Sequence, residues 1–362
     1  MVSHRTRSIT AILASLAVAA TVVSCGDDDG DPPAADATTS ATSPSDSAAD
    51  SASDTTSEAS SEAGAWTYVD GSGTEVTLDE VPTRIVAHGS AAAALIPLGI
   101  RPVGIYADTA IDEDLALKNL DLDGIEIVGE EWGVINVEAV AALEPDLIVA
   151  EWWPVEQAYS GLEEGTEATN AQMLEIAPIV GITQGPSIRT MIEDYEALAT
   201  SLGADLDEPA VAADRQRFED ALAGFEAAIA AKPDLSALAI SPTVELLYVA
   251  VPEYAAELSD FVTWGLDLVV PDSPDEGFEY WETLSWENAD KYQADLVIID
   301  ERSYPANLEQ AEQQPTWPAI EAAATGAIAV WPAYWLRNYA DYAAALERLT
   351  TAIADADEHL VD

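Results

Sequence analysis

Residues 136–150, NVEAVAALEPDLIVA, place a short helical pattern directly before an apolar run. The spacing of the apolar residues predicts a helix over residues 137–143, and Pro145 prevents that helix from continuing. Residues 146–150 then read DLIVA, which is typical of a strand covered by helices on both faces. A helix followed at once by such a strand indicates an α/β protein with a parallel sheet.

The same order of features occurs a second time in the chain. In the first copy Trp132 is followed six residues later by Glu138, and in the second Trp281 is followed six residues later by Glu287. Each glutamate precedes an apolar strand that begins with aspartate. Because a repeated module indicates repeated architecture, we interpret the chain as two pseudo-equivalent lobes.

Strand and helix patterns alternate on both sides of these copies. Apolar runs predict further strands over residues 84–88, 102–106, 125–128, 178–181, 237–240, 246–251, 295–300 and 327–331. Helical periodicity predicts helices over residues 91–98, 168–176, 255–264, 286–291, 317–324 and 339–355. A β-hairpin is expected over residues 66–78, where Asp70 and Gly71 supply the turn.

A long helical stretch separates the two copies, over residues 187–202 and 208–231. Its second part would measure about 36 Å as a continuous helix, which is enough to cross a domain. We therefore predict two Rossmann-like lobes with parallel sheets, residues 66–186 and 233–362. A single long helix within the interlobe segment 187–232 is expected to join them.

The N-terminal residues have the composition of a targeting segment. Residues 1–25 resemble a secretory signal, with two arginines before an apolar run that is too short to span a bilayer. The run ends at Cys25, in a sequence that resembles a bacterial lipobox, whose cysteine is lipidated. Residues 26–65 contain no Leu, Ile, Val or Met, so we expect a disordered acidic tether of Ser, Thr, Asp and Ala.

Composition excludes several classes of function. The chain has 13 Lys and Arg against 67 Asp and Glu, a net charge of −54, and nucleic-acid binding needs a basic face. One cysteine leaves no disulfide framework or cysteine-ligated cluster, and because His4 lies in the N-terminal leader, the mature chain has too few histidines for a three-histidine metal site. We find no GxSxG, HExxH, Walker A or GxGxxG motif. We therefore expect a protein that is not an enzyme and carries no cofactor or resident metal.

Four stretches together resemble a known family: residues 82–86, 98–105, 136–150 and 317–322. In order and spacing they are similar to class III solute-binding lipoproteins of ABC importers, which capture ferric siderophores, cobalamin or haem. The resemblance implies that the ligand binds in a cleft between the two lobes. It further implies a monomer, held by lipid on Cys25 at the outer face of the cytoplasmic membrane. It also implies that an ABC permease dimer with its ATPase is the partner, and that Glu138 and Glu287 dock against it.

The ligand is expected beyond the carboxyl ends of the strands. The loops there carry the predicted ligand-binding residues Tyr106, Trp132, Trp152, Trp153, Tyr254, Trp281, Arg302, Tyr304, Trp335 and Arg337. Such aromatic side chains would stack on a large, partly apolar chelate, and the two arginines would bind its oxygen atoms. The remaining tryptophans assigned to the interior are Trp66, Trp264, Trp286 and Trp317.

Few basic residues stand among many acids in these loops. This balance favours a neutral or cationic ferric hydroxamate over a strongly anionic tri-catecholate. A cobalamin-binding or haem-binding receptor of the same fold stays open, since an aromatic cleft suits both. A structural or adhesive surface lipoprotein is the alternative from a different functional class.

Overall fold

The computed structural model describes residues 64–361. The predicted signal sequence, the lipidation site Cys25 and nearly all of the predicted tether lie outside the described residues. Among residues 64–361, no helix combines the length and the apolar character that crossing a bilayer requires.

The described part begins with the predicted hairpin. Strand β1 (Trp66–Val69) pairs antiparallel with β2 (Glu75–Leu78). Asp70 holds the turn, because its Oδ1 accepts from the Ser72 amide at 2.9 Å and its Oδ2 from the Gly181 amide at 3.0 Å. At Gly71 a Cβ would lie 2.7 Å from a backbone nitrogen, so only glycine allows the hairpin to approach the first lobe this closely.

The first lobe is built on a six-stranded sheet. Its strands are β3 (Ile85–His88), β4 (Gly104–Ala107), β5 (Glu126–Glu130), β6 (Leu147–Trp153), β7 (Ala158–Tyr159) and β8 (Ile179–Thr183). All of its pairings are parallel except the short pairing of β7 with the end of β6. The helices of this lobe are α1 (Gly89–Leu95), α2 (Val137–Ala142) and α3 (Glu167–Ile176).

The second lobe has a sheet of mixed direction. Its strands are β9 (Ser236–Pro242), β10 (Leu246–Ala250), β11 (Asp267–Leu268), β12 (Trp281–Ser285), β13 (Leu296–Asp300) and β14 (Ile328–Trp331). Strands β9, β11, β13 and β14 are parallel, whereas β10 pairs antiparallel with both β9 and β12. The expectation of a parallel sheet therefore holds only for part of this lobe. The connection from β9 to β10 is too short for the crossover that parallel strands need. The two strands therefore pair antiparallel.

Two helices connect the sheets, α4 (Ile188–Ser201) and the 23-residue α5 (Pro209–Ala231). Helix α5 contacts both lobes. Near its start Val211 shares a small gap with Ala94 and Leu98 of the first lobe. Near its end the rings of Phe225 and Phe261 lie 5.6 Å apart in the second lobe. The predicted long joining helix is thus confirmed, and one continuous apolar core extends from the first lobe through α5 into the second.

The second lobe is completed by α6 (Ala256–Thr263), α7 (Ala306–Glu312), α8 (Glu321–Thr325) and α9 (Tyr339–Asp355). Residues 286–291 were expected to form a helix, but only the single turn Trp286–Asn288 is present. Trp66, Trp286 and Trp317 are buried, and Trp264 packs among Phe218, Phe225 and Tyr342. These four tryptophans belong to the interior, as predicted.

Two segments predicted as loops are strands. Glu151, Trp152 and Trp153 extend β6, because β8 and β7 supply backbone partners along this part of the chain. Trp281 begins β12, which pairs with β10 and buries the indole to 7% exposure. These corrections decide which side chains face the space between the lobes, because neighbouring strand residues point to opposite faces.

Candidate ligand-binding cleft

Two adjoining cavities lie between the lobes. The first, here called the aromatic cavity, has a volume of about 540 Å³. The second, here called the acidic cavity, has a volume of about 630 Å³. They share one wall, formed by Trp153, Gln184, Arg302, Tyr334 and Arg337. Both lobes contribute to this wall, so a ligand held against it would touch both.

Aromatic side chains dominate the aromatic cavity. Its aromatic lining consists of Trp153, Tyr254, Phe278, Tyr280, Trp281 and Tyr334. The ring of Tyr280 lies 5.5 Å from that of Tyr254 and 5.8 Å from that of Phe278. Tyr254 is fixed further because its hydroxyl donates to Glu279 at 3.0 Å. Such a row of rings offers flat apolar surface to a ligand.

The acidic cavity presents carboxylates and one histidine. Its acidic lining comprises Asp108, Glu113, Asp114, Glu151 and Glu163. The His88 Nδ1 lies 2.8 Å from the Ser90 hydroxyl, and its Nε2 lies 3.3 Å from Asp108. Among residues 64–361, no group of three or more His, Cys, Asp or Glu side chains is placed to hold a metal ion.

A buried ion pair between the lobes lies at the shared wall. Arg337, which follows β14, is 5% exposed and donates two hydrogen bonds to Glu151 at the end of β6. One of them joins Nη2 to Oε2 over 3.0 Å. Removing either partner would leave a buried charge unpaired, so breaking this contact between the lobes should destabilise the fold.

The second cleft arginine is held differently. Arg302 follows β13 and donates to both carboxylate oxygens of Asp300 at 2.6–3.1 Å. Its guanidinium carbon lies 4.9 Å from the ring centre of Tyr334, close enough for a cation–π contact. The Arg302 side chain is about half exposed, so it can still bind an anionic or neutral oxygen.

Several polar atoms of the cavity walls have no partner in the protein. The Tyr334 hydroxyl, the Trp335 indole nitrogen and both carboxylate oxygens of Glu257 are buried without a hydrogen bond among the described residues. Tyr334 also has a φ of 64°, which a tyrosine rarely adopts. Unpaired groups and backbone strain concentrate where proteins bind ligands.

A family model described as periplasmic binding protein matches residues 126–335. The chain belongs to the periplasmic binding protein family. A solved structure of DesE, a ferric-siderophore receptor protein from Streptomyces coelicolor, is 31% identical, with a TM-score of 0.72. That match covers 81% of this chain and 99% of the DesE chain. Among curated proteins, none matches the sequence significantly.

More distant structures share the fold. The siderophore periplasmic binding protein from the fuscachelin gene cluster of Thermobifida fusca is 21% identical with a TM-score of 0.57. That match covers 75% of this chain and 96% of the other. FhuD2 from Staphylococcus aureus, solved with bound ferrioxamine B, is 17% identical with a TM-score of 0.53, over 75% of this chain and 98% of its own.

Six of the ten side chains predicted from the sequence line the cavities of this periplasmic binding protein. They are Trp153, Tyr254, Trp281, Arg302, Trp335 and Arg337. Four do not line either cavity. Trp152 points to the opposite face of β6, where its ring lies 5.0 Å from that of Tyr159. Tyr106 is buried behind Ser160, and Trp132 and Tyr304 are largely exposed.

Several lining residues were absent from the predicted set. Gln184, Phe278, Tyr280 and Tyr334 lie in loops, and both tyrosines are sequence neighbours of predicted residues. The loop positions of the tyrosines were visible in the sequence. Glu257 is a different case, since it lies inside α6 and only the packing of that helix buries it. No sequence signal distinguishes it from the other acids.

The two glutamates of the repeat occupy matching positions. Glu138 is the second residue of α2, and Glu287 is the second residue of the turn Trp286–Asn288. Both are exposed, and backbone and Ser285 hydrogen bonds lower the pKa of Glu287. Their tryptophans differ, because Trp132 is 48% exposed whereas Trp281 is buried. The acids of the repeat are therefore equivalent, and the aromatics are not.

Proposed function

We propose that this periplasmic binding protein captures a ferric siderophore in the interlobe cleft and delivers it to an ABC permease. One observation carries the proposal: the chain is 31% identical to a ferric-siderophore receptor protein over 99% of that receptor. Such similarity over nearly the whole receptor favours a shared class of ligand as well as a shared fold. A surface protein with only a structural role would have no need of a cleft.

The chemistry of the cleft favours a hydroxamate chelate. Its walls combine aromatic rings with two arginines, and each arginine is already paired with a carboxylate. A tri-catecholate complex carries several negative charges and would meet a surplus of acids here. A neutral or singly cationic chelate avoids that repulsion and can still stack on the rings.

We infer a division of labour among the predicted residues. The side chains in contact with ligand are Trp153, Tyr254, Trp281, Arg302, Trp335 and Arg337. Trp132 and Tyr304 would meet the ligand only at the rim of the cleft. Tyr106 and Trp152 would support the walls from behind, since Tyr106 donates to the Ser160 carbonyl and Ser160 accepts from Trp153.

The anchoring and docking arrangement is also part of the proposal. Lipid on Cys25 holds a monomer at the outer face of the cytoplasmic membrane, and residues 26–65 act as the tether. The lobes, residues 66–186 and 233–362, carry Glu138 and Glu287 toward the permease dimer and its ATPase. Two exposed carboxylates, one per lobe, set the register of such a complex through their charges.

The test is intrinsic tryptophan fluorescence of the purified full chain, titrated with ferrioxamine B, a ferric catecholate, cyanocobalamin and hemin. Saturable quenching at sub-micromolar ferrioxamine B, with at least about tenfold weaker binding of the others, is the expected result. Saturation with cyanocobalamin alone or hemin alone would mean that the protein is a cobalamin-binding or haem-binding receptor instead. No saturation with any of the four would overturn the proposal and favour a structural surface protein.

A further inference from the structure

Three acids line the aromatic cavity: Glu156 and Glu253 are exposed, whereas Glu257 is buried without a partner. Glu257 is the second residue of α6, its side chain lines the cavity, and the residue is 0% exposed. The amides of Glu257 and Tyr334 lie close enough to its carboxylate to favour the charged form, but neither carboxylate oxygen accepts a hydrogen bond of normal geometry from any residue that the structure describes. Buried carboxylates are normally paired or hydrogen-bonded, because burying an unpaired charge is costly.

The charged groups around Glu257 do not supply this partner. The groups that act on it or respond to its charge are Arg337, Arg302, Asp260, Tyr334 and Tyr342. Arg337 is bound to Glu151, and Arg302 is bound to Asp300. Asp260 is a second acid, whose Oδ2 accepts from the Ile188 amide at 3.0 Å and from the Tyr342 hydroxyl at 2.8 Å. Both cations are thus committed elsewhere.

Aromatic rings line the same cavity as this carboxylate. Trp153, Tyr280, Trp281 and Tyr334 present their rings to the space that Glu257 borders. A negative carboxylate combined with the electron-rich faces of several rings is the arrangement by which proteins bind organic ammonium groups. An anion would be repelled by both features, and a purely apolar ligand would leave the carboxylate unpaired.

We propose that the aromatic cavity receives a protonated amine of the ligand, with Glu257 as its counter-charge. This inference rests on the proposed function and narrows it to ferric chelates that carry a cationic arm. The chelate itself would lie against the shared wall, where Arg302 and Arg337 face both cavities. Its arm would extend from there into the aromatic cavity.

Binding of such a ligand should release a proton near neutral pH. Burial raises the pKa of Glu257 to about 7, an effect that the amides of Glu257 and Tyr334 and the charge of Arg337 partly offset. The empty cleft therefore holds a partly protonated carboxyl group at pH 7. An ammonium group favours the ionised form, so affinity should rise with pH by about tenfold between pH 6 and pH 8.

The experiment compares two ligands that differ by one charge. Ferrioxamine B carries one ammonium group, and N-acetylated ferrioxamine B carries none. Both are titrated into the full chain, into Glu257→Gln and into the control Glu226→Gln, which replaces an exposed acid of α5 outside both cavities. We expect acetylation to weaken binding to the wild-type chain by at least about tenfold. The loss should persist in Glu226→Gln and shrink to less than twofold in Glu257→Gln.

The outcomes separate this inference from the proposed function. If neither ligand saturates, the proposed function fails. If both bind the wild-type chain equally, or Glu257→Gln keeps the tenfold discrimination, the ammonium site is wrong while siderophore binding stands. If Glu257→Gln misfolds, the pH dependence decides with the wild-type chain alone. Affinity for ferrioxamine B should then rise with pH while affinity for the acetylated ligand stays flat, and equal pH profiles would overturn the inference.

Discussion

Asp146 and Asp295 make the same contact in the two lobes. The Asp146 Oδ2 accepts from the amides of Thr83 at 3.0 Å and Arg84 at 2.9 Å, just before β3. The Asp295 Oδ2 accepts from the amide of Ser236 at 2.8 Å, at the start of β9. Each aspartate stands directly before a central strand and ties it to the strand alongside. The aspartates that begin the two strands of the predicted repeat therefore make equivalent contacts, although its tryptophans differ in exposure.

Replacing the second of these aspartates should destabilise the fold. Asp295 is buried and also accepts from the amides of Leu360 at 2.9 Å and Val361 at 3.3 Å, so Asp295→Asn removes the charged acceptor of four donors. We expect a loss of about 2–3 kcal/mol in the free energy of unfolding at pH 7. Urea unfolding measures it, with the exposed Asp290→Asn as the control. An unchanged midpoint would show that the contact is not stabilising.

The pH dependence of that loss follows from the shifted pKa. Burial acts to raise the pKa of Asp295, but hydrogen bonds from Ser236, Val361 and Leu360 outweigh it, and the pKa is lowered. A lowered pKa contributes stability above the unfolded value, which disappears as pH falls through the folded value. The difference between the wild-type chain and Asp295→Asn should therefore shrink from pH 5 to pH 3. A constant difference would contradict this assignment.

The buried pair of Glu151 and Arg337 should respond unequally to single and double substitution. Glu151→Ala leaves a buried guanidinium unpaired, and we expect a loss of about 3–5 kcal/mol. The double variant Glu151→Met with Arg337→Met should be less destabilised than the single one. Thermal and urea unfolding measure both. Glu347→Ala, which breaks the exposed pair with Arg217, is the control and should cost less than about 1 kcal/mol.

Glu257→Gln should stabilise the ligand-free protein, and the gain should increase with pH. The folded pKa of about 7 lies above the ordinary value of 4.5, so burial of the charge costs stability as pH rises between those values. The gain from Gln should be about 2 kcal/mol greater at pH 8 than at pH 5.5. Urea midpoints at both pH values measure it. An equal gain at both would mean that the carboxyl does not ionise in this range.

Trp152 and Trp153 are neighbours with opposite orientations, which makes them a matched pair. Trp153 lines both cavities, whereas Trp152 lies against Tyr159 on the other face of β6. Trp153→Phe should weaken binding of ferrioxamine B by about tenfold through lost stacking area. Trp152→Phe should change the dissociation constant by less than twofold. Isothermal titration calorimetry measures both dissociation constants without relying on tryptophan signals. A larger loss of affinity in Trp152→Phe than in Trp153→Phe would mean that Trp152, not Trp153, contacts the ligand.

Charge reversal at the repeat glutamates should separate transport from binding. Glu138→Arg and Glu287→Arg alter exposed side chains away from both cavities. We expect ferrioxamine B affinity to stay within twofold while uptake of iron-loaded siderophore by cells falls by at least about tenfold. Glu226→Arg, on the exposed face of α5, is the control and should transport normally. Normal uptake by both repeat variants would remove these residues from the docking surface.

Long periodic segments were predictable from the sequence. Helix α9 was predicted over residues 339–355 and is observed as Tyr339–Asp355, because its apolar residues recur at helical spacing and pack on α5. Strand β12 was missed. Its sequence WETLS has no unbroken apolar run, and pairing with β10, distant in the chain, makes it a strand. Tertiary contacts of this kind override local preference.

The site was predictable by location more than by side chain. The carboxyl ends of parallel strands led to Trp153, Arg302 and Arg337, which line the cavities, since topology places those ends together. Trp152 shows the limit of this prediction. The sequence indicates that Trp152 and Trp153 point to opposite faces of a strand, but it does not indicate which of the two faces the cleft. Glu257 shows another, because its burial depends on how α6 packs beneath the segment that contains Tyr334.

Helix α5 and the apolar core around it join the two lobes into one cooperative unfolding unit. Val211 packs with the first lobe and Phe225 with the second, and the same core continues through both. Unfolding of either lobe would expose apolar core residues of the other. The chain should therefore unfold in a single calorimetric transition, and a ligand that touches only one wall of the cleft would still raise the melting temperature of the whole.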